Sequence, residues 1–312
     1  MDPVRILHVS DFHFDGSPEQ ATALREALQR ALEHEPDVVV HSGDVTSSGT
    51  DAEFARAAEV LELVGSLPLI VVPGNRDVRE LALRSADVSA YAHDHDESGE
   101  SDDDEDVVRW QQTKRSLASS GPMPRAGSLC QPEWNANGTA FARAFGSCNP
   151  VLSTTRVCAV GLNTNRKVYA NALETARAAF GAAEPGAVRI LVGHHPVLGV
   201  PDRPWESLED VARNNGSVLE LALQCDVDLI CSGHLHRSHT GVAGLDARQV
   251  ELSMAPTLTL SSRKKDRGFH LIELRSGAPA TFQVVRNDDP EALARRQDWI
   301  VHRRSSRDLQ AK

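Results

Sequence analysis

The sequence lacks any long apolar run. No segment approaches the roughly 18 consecutive apolar residues that a membrane-spanning helix requires, and the opening MDPVRILHVS has no basic stretch followed by an apolar one. Cysteine is also scarce, since the five cysteines among 312 residues are scattered and form no CxxC pair. This usage argues against a disulfide framework or a structural zinc cluster, and it favours a soluble protein of the reducing cytoplasm.

A basic surface is missing as well. The formal net charge is −11, but nine acidic residues lie between Asp94 and Asp106, a stretch without lysine or arginine. Outside that stretch there are 35 acidic and 33 basic residues, so the rest of the protein is nearly neutral. The sequence therefore argues against nucleic acid as a partner. We interpret residues 94–106 as a solvated acidic loop, with attraction of metal or binding of a partner as the alternative.

The apolar runs alternate with helical patterns, as expected for one large α/β domain. RILHVS, DVVVHSGD and PLIVVPGN are predicted strands, and the helical spacing of EQATALREALQRALEHE and DAEFARAAEVLELVG predicts the helices between them. This order predicts parallel strands with helices on both faces of the sheet. Three further strands follow in RVCAVGLNT, RILVGHHP and DLICSGHLH, with helices around 173–180 and 218–224.

The remaining segments define the predicted domain boundaries. Residues from about 79 to 150 are rich in Asp, Ser, Gly and Pro, which predicts an irregular cap that contains the acidic loop. QVELSMAPTLTL, GFHLIELR and ATFQVVR have no helices between them, which suggests an antiparallel closing segment. We therefore expect one domain over residues 1–289 and a short C-terminal tail over 290–312.

Seven polar side chains stand just past the ends of these apolar runs. Because the carboxyl ends of parallel strands open into one crevice, all seven should emerge on the same rim. Two pairs are spaced two residues apart, so that extended backbone would direct each pair to one side, and glycines beside the others permit tight turns. The seven are Asp11 and His13 in HVSDFH, Asp44 in HSGD, Asn75 in PGNRD, His194 in GHHP, and His234 and His236 in SGHLH.

This mixture of ligands suits a pair of cations. A carboxylate such as Asp44 can bridge two cations, and imidazole and amide groups complete the shells without excess negative charge. Two ions roughly 3.5–4 Å apart lower the pKa of a bridging water and neutralise phosphoryl oxygens during in-line attack. The sequence thus predicts hydrolysis of a phosphoester by a metal-bridging hydroxide. It does not choose among manganese, iron and zinc.

The motifs DxH, GD, GNxD, GHH and GHxH stand in the order of the calcineurin-like metallophosphoesterases, which this chain resembles over roughly residues 4–285. The resemblance implies a four-layer α/β/β/α sandwich with two central mixed sheets. It implies one metal on Asp11, His13, Asp44 and His236, and a second on Asp44, Asn75, His194 and His234. GHHP, the GLN at 161–163 and the closing hairpin look most like the bacterial class III cyclic-nucleotide phosphodiesterase branch, in which that hairpin often supports a homodimer.

Arg76 departs from the usual GNHD pattern of the family. The histidine of that pattern, beside Asp77, can protonate the leaving oxygen, whereas arginine cannot act as an acid near neutral pH. Its planar guanidinium can still hold a phosphoryl oxygen. The alternative is that Arg76 only pairs with Asp77 or with the acidic loop. GNRD also occurs in the UDP-diacylglucosamine pyrophosphohydrolases, which resemble this family, so arginine is compatible with catalysis.

Other polar residues near the motifs allow two interpretations each. His195 either contacts substrate or makes a supporting hydrogen bond, and Asn163 either lines the cleft or is a turn residue. His41 is expected to pack beside Asp44 or orient it, and His8 to be a hydrogen-bonded core histidine.

Three functions remain open from the sequence. The first is a phosphodiesterase for a small nucleotide-like phosphodiester, with Arg76, Asp77 and His195 as candidate catalytic residues. The second is a nucleotide-linked pyrophosphohydrolase, which GNRD suggests. The third is an inactive metal-stabilised scaffold whose acidic loop recruits a partner.

Overall fold

Two β-sheets with their inner faces packed together form the centre of the fold. The computed structural model describes residues 2–78, 140–165, 167–199, 211–245, 248–259 and 267–286. The predicted acidic loop, the predicted tail and most of the predicted cap lie outside these residues, as do His93 and His95. The described strands are β1 Val4–Val9, β2 Val38–His41, β3 Leu69–Val71, β4 Val151–Ser153, β5 Val157–Leu162, β6 Val188–Gly193, β7 Leu229–Ser232, β8 His239–Leu245, β9 Arg248–Met254, β10 Gly268–Leu274 and β11 Thr281–Arg286.

The helices begin where the sequence places good N-caps. Ser17 accepts a hydrogen bond from the backbone N–H of Gln20 and Pro18 opens the first helix, whereas Thr50 and Glu53 form a reciprocal capping box at the second. These caps satisfy backbone N–H groups that have no partner within the helix. The described helices are α1 Pro18–Leu32, α2 Asp51–Leu61, α3 Ala140–Phe145, α4 Ala170–Gly181 and α5 Asn215–Gln224.

The first sheet has the strand order β11-β10-β1-β2-β3, and the second has the order β4-β5-β6-β7-β9-β8. Strands β1, β2 and β3 are parallel, as predicted, and so are β5, β6 and β7. Both sheets are mixed, because β10 pairs antiparallel with β1 and β4 antiparallel with β5. The four-layer α/β/β/α sandwich implied by the family resemblance is confirmed.

The expectation of helices on both faces of one sheet is wrong. The described helices lie on the outer faces of the two sheets, with α1, α2 and α3 on the first sheet and α4 and α5 on the second. The inner faces meet in a layer of mostly branched aliphatic residues, which include Ile6, Val40, Ile190 and Leu229. Alternation along each strand thus buries one face under helices and the other under the opposite sheet.

The closing part of the chain also differs from the prediction. Strands β10 and β11 do form an antiparallel hairpin, but β9 lies in the other sheet and runs parallel to β7. The antiparallel partner of β9 is β8. The sequence analysis did not predict strands β8 and β4. Strand β8, with the sequence HTGVAGL, was missed because its two glycines weaken the alternation of apolar and polar residues.

One stretch of the predicted irregular cap is helical. Phe141 and Ala142 of helix α3 are buried in the apolar core between the first sheet and its helices. The ring of Phe141 packs edge-on against Phe54 of α2 at 5.9 Å between centroids. Burial of this aromatic face outweighs the polar composition of the preceding sequence.

Candidate metal centre

The seven predicted ligands come together in loops at the carboxyl ends of the strands. Backbone hydrogen bonds join two of these loops directly, since the N–H of Asp11 donates to the Gly43 carbonyl and that of His13 to the Asp44 carbonyl, both at 2.9 Å. The N–H of His234 donates to Oδ2 of Asp11 at 3.1 Å. The loops after β1, β2 and β7 therefore hold one another in place at the edge of the sandwich.

The backbone of these loops is left-handed rather than extended. Seven described residues other than glycine have positive φ, and five of them are predicted ligands: Asp11, His13, Asp44, His234 and His236, with φ between 46° and 74°. The prediction that extended backbone orients the two spaced pairs is therefore wrong, because the chain turns sharply as soon as each strand ends. Such conformations cost about 1–2 kcal/mol per residue and concentrate at functional sites.

Two glycines allow the loops to approach one another closely. A Cβ atom at Gly74 would lie 2.1 Å from both the backbone N and Oδ1 of Asp44. A Cβ at Gly233 would lie 1.9 Å from Oγ of Ser10 and 2.5 Å from Oδ2 of Asp11. Glycine is required at both positions by this proximity, and the expectation that the motif glycines permit close turns is confirmed there.

One group of ligand atoms surrounds Asp11. The atoms offered by Asp11, His13, Asp44 and His236 all lie within 4.8 Å of one another. The Nε2 atoms of His13 and His236 are 2.8 Å apart, and the buried Oδ1 of Asp11 has no hydrogen-bond partner although Nε2 of His236 lies 3.2 Å away. Burial alone would raise the pKa of Asp11, but His13 and His236 hold that pKa well below its usual range. The carboxylate is therefore ionised.

A second group lies beside the first. Oδ1 of Asn75 is 2.9 Å from Nε2 of His194 and 3.2 Å from Nδ1 of His234. Oδ2 of Asp44 stands between the two groups, at 3.6 Å from Nε2 of His13 and 3.6 Å from Nε2 of His194. The carboxylate of Asp44 thus faces both groups of ligand atoms.

The ring of His194 is fixed by Ser42, a residue that the sequence analysis missed. Nδ1 of His194 donates to the Ser42 carbonyl at 2.9 Å, which leaves the lone pair of Nε2 directed toward Asn75 and Asp44. Burial lowers the pKa of His194, so the ring is neutral. A backbone carbonyl on the far nitrogen is the usual way to orient a metal-binding imidazole.

Asp77 lies beneath the site and accepts four hydrogen bonds. Its Oδ1 accepts from the N–H and the hydroxyl of Thr46 at 2.8 and 2.7 Å, and its Oδ2 accepts from the N–H groups of Val45 and Gly74 at 3.0 and 2.9 Å. Burial and the nearby charge of Asp44 raise the pKa of Asp77 to about 7, against the effect of these donors. The buried carboxylate ties the loop after β2 to the loop after β3.

Arg76 lies at the surface of the site. Its backbone N–H donates to Oδ1 of Asp44 at 2.8 Å, and its side chain is exposed. Among the described residues none forms an ion pair with Arg76, and the carboxylate of Asp77 is occupied by other donors. The suggested pairing of Arg76 with Asp77 is therefore wrong, and the pairing with the acidic loop concerns residues outside the described chain.

His195 forms hydrogen-bond contacts with Thr164. Its N–H donates to Oγ1 of Thr164 at 2.9 Å and its Nδ1 lies 3.3 Å from the same oxygen. The ring packs against that of His234 at 4.3 Å between centroids, and burial holds the pKa of His195 well below its usual value. These contacts match the supporting interpretation of His195.

The remaining polar residues have structural contacts. The side-chain oxygen of Asn163 accepts from the backbone and side chain of Asn165 at 3.2 and 3.0 Å, which makes Asn163 a turn residue. His41 accepts from the N–H of Gly43 at 3.2 Å and packs edge-on against Phe12. His8 has a partner on each ring nitrogen, so the prediction of a satisfied core histidine is confirmed.

The two groups of donor atoms fit two cations. Oδ1 of Asp11 is a buried acceptor without a hydrogen-bond partner, and a cation bound between it and the adjacent nitrogens of His13 and His236 would satisfy it. Carboxylate, imidazole and amide donors around a shared carboxylate define a metallophosphoesterase centre on an α/β/β/α sandwich.

The model of the calcineurin-like phosphoesterase family matches residues 4–238. The chain belongs to this family.

The comparisons with individual proteins are more distant. The chain is 31% identical over 84 residues to a "Probable glycerophosphodiester phosphodiesterase GpdQ" of Arcobacter nitrofigilis, and the match covers 24% of this chain and 30% of that protein. A purple acid phosphatase of yellow lupin has 11% identity and a TM-score of 0.51, with 95% of this chain and 53% of that chain covered. A dimetal phosphatase of Danio rerio has 13% identity and a TM-score of 0.49, with 91% and 96% covered.

The likeness to the lupin structure agrees with the sandwich fold. In the part of the chain that the structure describes, no helix is both long and apolar enough to cross a membrane.

The supporting residues Ser42, Thr46 and Thr164 were missed because a single serine or threonine beside a motif carries no signal distinct from a turn. Their roles come from carbonyl and hydroxyl positions that only the folded chain defines.

Proposed function

We propose that this member of the family is a metal-dependent phosphodiesterase that hydrolyses a small nucleotide-like phosphodiester. The observation that carries the proposal is the position of Asp44, whose Oδ2 is 3.6 Å from ligand nitrogens in both groups. Such a shared carboxylate suits two neighbouring cations, because its charge offsets their mutual repulsion.

The proposed ligands divide into two sets that share Asp44. We assign one ion to Asp11, His13, Asp44 and His236, and the other to Asp44, Asn75, His194 and His234. Manganese, iron and zinc all suit oxygen and imidazole donors of this kind. When bound, the two ions would lower the pKa of a water between them and neutralise charge on the phosphoryl oxygens.

The surrounding residues position the ligands and the substrate. Ser42 fixes the ring of His194 through its carbonyl, and Asp77 holds the loops of Asp44 and Asn75 together. We assign Arg76 the role of binding a phosphoryl oxygen, since its guanidinium is exposed and has no ion pair among the described residues. Arginine does not donate a proton near neutral pH, so this site favours substrates whose leaving oxygen needs little protonation.

The test is hydrolysis by purified protein reconstituted with Mn²⁺. We expect bis-p-nitrophenyl phosphate to be cleaved, and to be a better substrate than p-nitrophenyl phosphate. An Arg143→Gln variant, altered in an exposed side chain on α3 that pairs with Asp51, should match the wild type. If manganese, iron, zinc and cobalt all fail to support turnover of a diester, the proposal is rejected.

A pyrophosphohydrolase acting on a nucleotide-linked substrate is the second candidate, and the exposed guanidinium of Arg76, which has no ion pair among the described residues, favours it. A fork-shaped donor suits a substrate with two adjacent phosphates. Release of a nucleoside monophosphate from a UDP-linked sugar, with cyclic nucleotides left intact, would establish this activity over the first.

The scaffold hypothesis depends on the acidic loop outside the described residues, and it would require that the metal-loaded protein be inactive.

We further propose that the protein acts in the cytoplasm. The thiols of Cys158, Cys225 and Cys231 form no disulfide, as suits a reducing compartment. Burial raises the pKa of the Cys158 and Cys231 thiols, which makes them unreactive. Association into a homodimer stays a prediction, which sedimentation of the purified protein would test.

A further inference from the structure

The apolar layer between the sheets ends in buried polar residues on the side of the metal centre. His8 follows Val4 and Ile6 on the inward face of β1, and His270 lies beside it in register on β10. Both histidines are fully buried, and Ser253 of the opposite sheet is 1% exposed. Valine or isoleucine would continue the layer at lower cost, so these polar groups need an explanation beyond packing.

Five side chains, the three named above together with Ser42 and Ser238, form one unbroken series of hydrogen-bond contacts, here called the serine–histidine chain. Oγ of Ser42 lies 2.9 Å from Nε2 of His8, whose Nδ1 is 2.8 Å from Oγ of Ser253. The same serine oxygen is 2.8 Å from Nδ1 of His270, whose Nε2 is 2.7 Å from Oγ of Ser238. Ser253 is thus the central link, and it joins the two sheets.

The chemistry of the groups gives this chain a direction. A neutral imidazole donates from one nitrogen and accepts at the other, and the single hydroxyl proton of Ser253 can serve only one of the two rings. If Ser253 donates to His8, then His270 must donate to Ser253, and the reverse holds when Ser253 donates to His270. Desolvation disfavours the charged form of a fully buried imidazole, and burial lowers the pKa of His8 well below its usual value.

The two ends of the chain lie in loops that carry proposed ligands. Ser42 precedes Asp44 by two residues, and its carbonyl fixes the ring of His194. Ser238 follows His236 by two residues. The interior contacts therefore connect the loop after β2 with the loop after β7 by a path separate from the ligand side chains themselves.

We propose that the serine–histidine chain is a directed relay of hydrogen bonds that positions these two loops relative to each other, which makes His8, Ser253 and His270 positioning residues for the metal centre. The inference rests on the proposed metal site. It assigns to the interior between the sheets the task of holding Asp44 and His236 at the spacing that cations require. Loss of the central hydroxyl should loosen that spacing and weaken metal binding.

The direction of the relay can be tested in the wild-type protein without any metal. ¹⁵N spectra of histidine-labelled protein report which ring nitrogen carries the proton, and His8→Gln and His270→Gln variants assign the two signals. We expect the two histidines to be neutral and of opposite tautomers, because each direction of the relay requires it. The same tautomer on both rings, or a charged ring at either position, would overturn the relay.

The positioning role is tested by a matched pair of variants. Ser253→Ala removes the central hydroxyl, and Cys231→Ala removes a buried atom of similar size from the residue that pairs with Ser253 on β7. By analogy with other residues that support metal ligands, Ser253→Ala should weaken Mn²⁺ affinity at least about tenfold. Cys231→Ala should bind Mn²⁺ as the wild type does, even if it melts at a lower temperature. Equal affinities of the two variants would overturn the role.

Both measurements are independent of hydrolysis. A wild-type protein that binds Mn²⁺ but cleaves no phosphodiester, with weaker binding in Ser253→Ala, would reject the proposed function and support the chain. An active wild type with unchanged Mn²⁺ affinity in Ser253→Ala would do the opposite.

Discussion

The Nε2 atoms of His13 and His236 face each other at 2.8 Å, beside a buried carboxylate oxygen of Asp11 that has no hydrogen-bond partner. At most one of these two nitrogens can donate across the contact, and the buried Asp11 oxygen is left without a donor, which is costly. A cation would satisfy the three atoms at once.

Metal binding should therefore stabilise the protein markedly. At a free Mn²⁺ concentration 100 times the dissociation constant, the unfolding free energy should rise by about 2.7 kcal/mol, because the unfolded chain has no such cluster. For a chain of this size the increase is a few degrees in melting temperature. Calorimetry of chelator-treated protein with and without Mn²⁺ measures it, and Ca²⁺ serves as the control because it prefers oxygen ligands. Equal stabilisation by both ions would contradict a histidine-rich site.

Asp44→Ala should abolish turnover and prevent the binding of a second metal ion. Without the shared carboxylate each cation would face the other unshielded, and both groups would lose a ligand. Elemental analysis of the reconstituted variant gives the metal content per chain, and Asp51→Ala, in an exposed carboxylate on α2, is the control. An Asp44→Ala protein that still holds two ions would refute the bridging role.

Arg76→His should change the preference for the leaving group without changing the metal content. The side chain is exposed, and the contact that reaches Asp44 comes from the backbone N–H, which histidine retains. Histidine can protonate a leaving oxygen, so poorer leaving groups should gain relative to p-nitrophenol. Values of kcat/KM over a series of aryl phosphodiesters measure the preference. A changed number of bound metals would show that residue 76 acts on the ligands instead.

Gly74→Ala should disrupt the site from the backbone. Its Cβ would lie 2.1 Å from two atoms of Asp44, so the loops after β2 and β3 would have to separate. We expect a loss of at least about 2 kcal/mol in stability, as for other overpacked positions, and weaker Mn²⁺ binding. Gly181→Ala, at the end of α4 with open space around it, is the matched control and should be neutral or stabilising. Comparable effects of the two changes would be inconsistent with this geometry.

Acid should destabilise the fold through its buried histidines. Burial lowers the pKa of His41 to about 3, whereas the unfolded chain has the ordinary value of 6.5. The unfolded state therefore binds the proton first, and stability that is complete above 6.5 is lost as the pH falls from there toward 3. Each such histidine contributes a slope of about 1.4 kcal/mol per pH unit in that window.

His41→Gln should reduce that slope by about one histidine's share, because glutamine does not titrate. Urea unfolding of both proteins at several pH values just below 6.5 measures the difference. An unchanged slope would mean that His41 is protonated in the folded protein.

The sequence predicts the ligands far better than it predicts their backbone. Asp11 or His236 is visible in a motif because its spacing from a strand end repeats along the chain. The left-handed φ of the same residues is not visible, since aspartate and histidine also occur in extended backbone. The second face of each sheet was misassigned for a related reason: a buried run such as that of β2 reads the same under a helix as under another sheet.

Long-range partners explain the remaining misses. Strand β9 lies between β7 and β8 in the second sheet, although β8 comes between β7 and β9 in the sequence. The weak apolar pattern of β8 gives no sign of this strand order. Ser253 and Ser42 are ordinary residues in their own segments. The pairing of β2 with β1 brings Ser42 to one nitrogen of His8, and the packing of the two sheets brings Ser253 to the other.

Five proposed ligands hold left-handed backbone torsions that glycine would adopt without strain. A library of variants selected for heat resistance alone should therefore accumulate glycine at positions such as His13 and Asp44, and become more robust as it loses its chemistry. Selection for stability alone would thus act first against the residues that bind the metal.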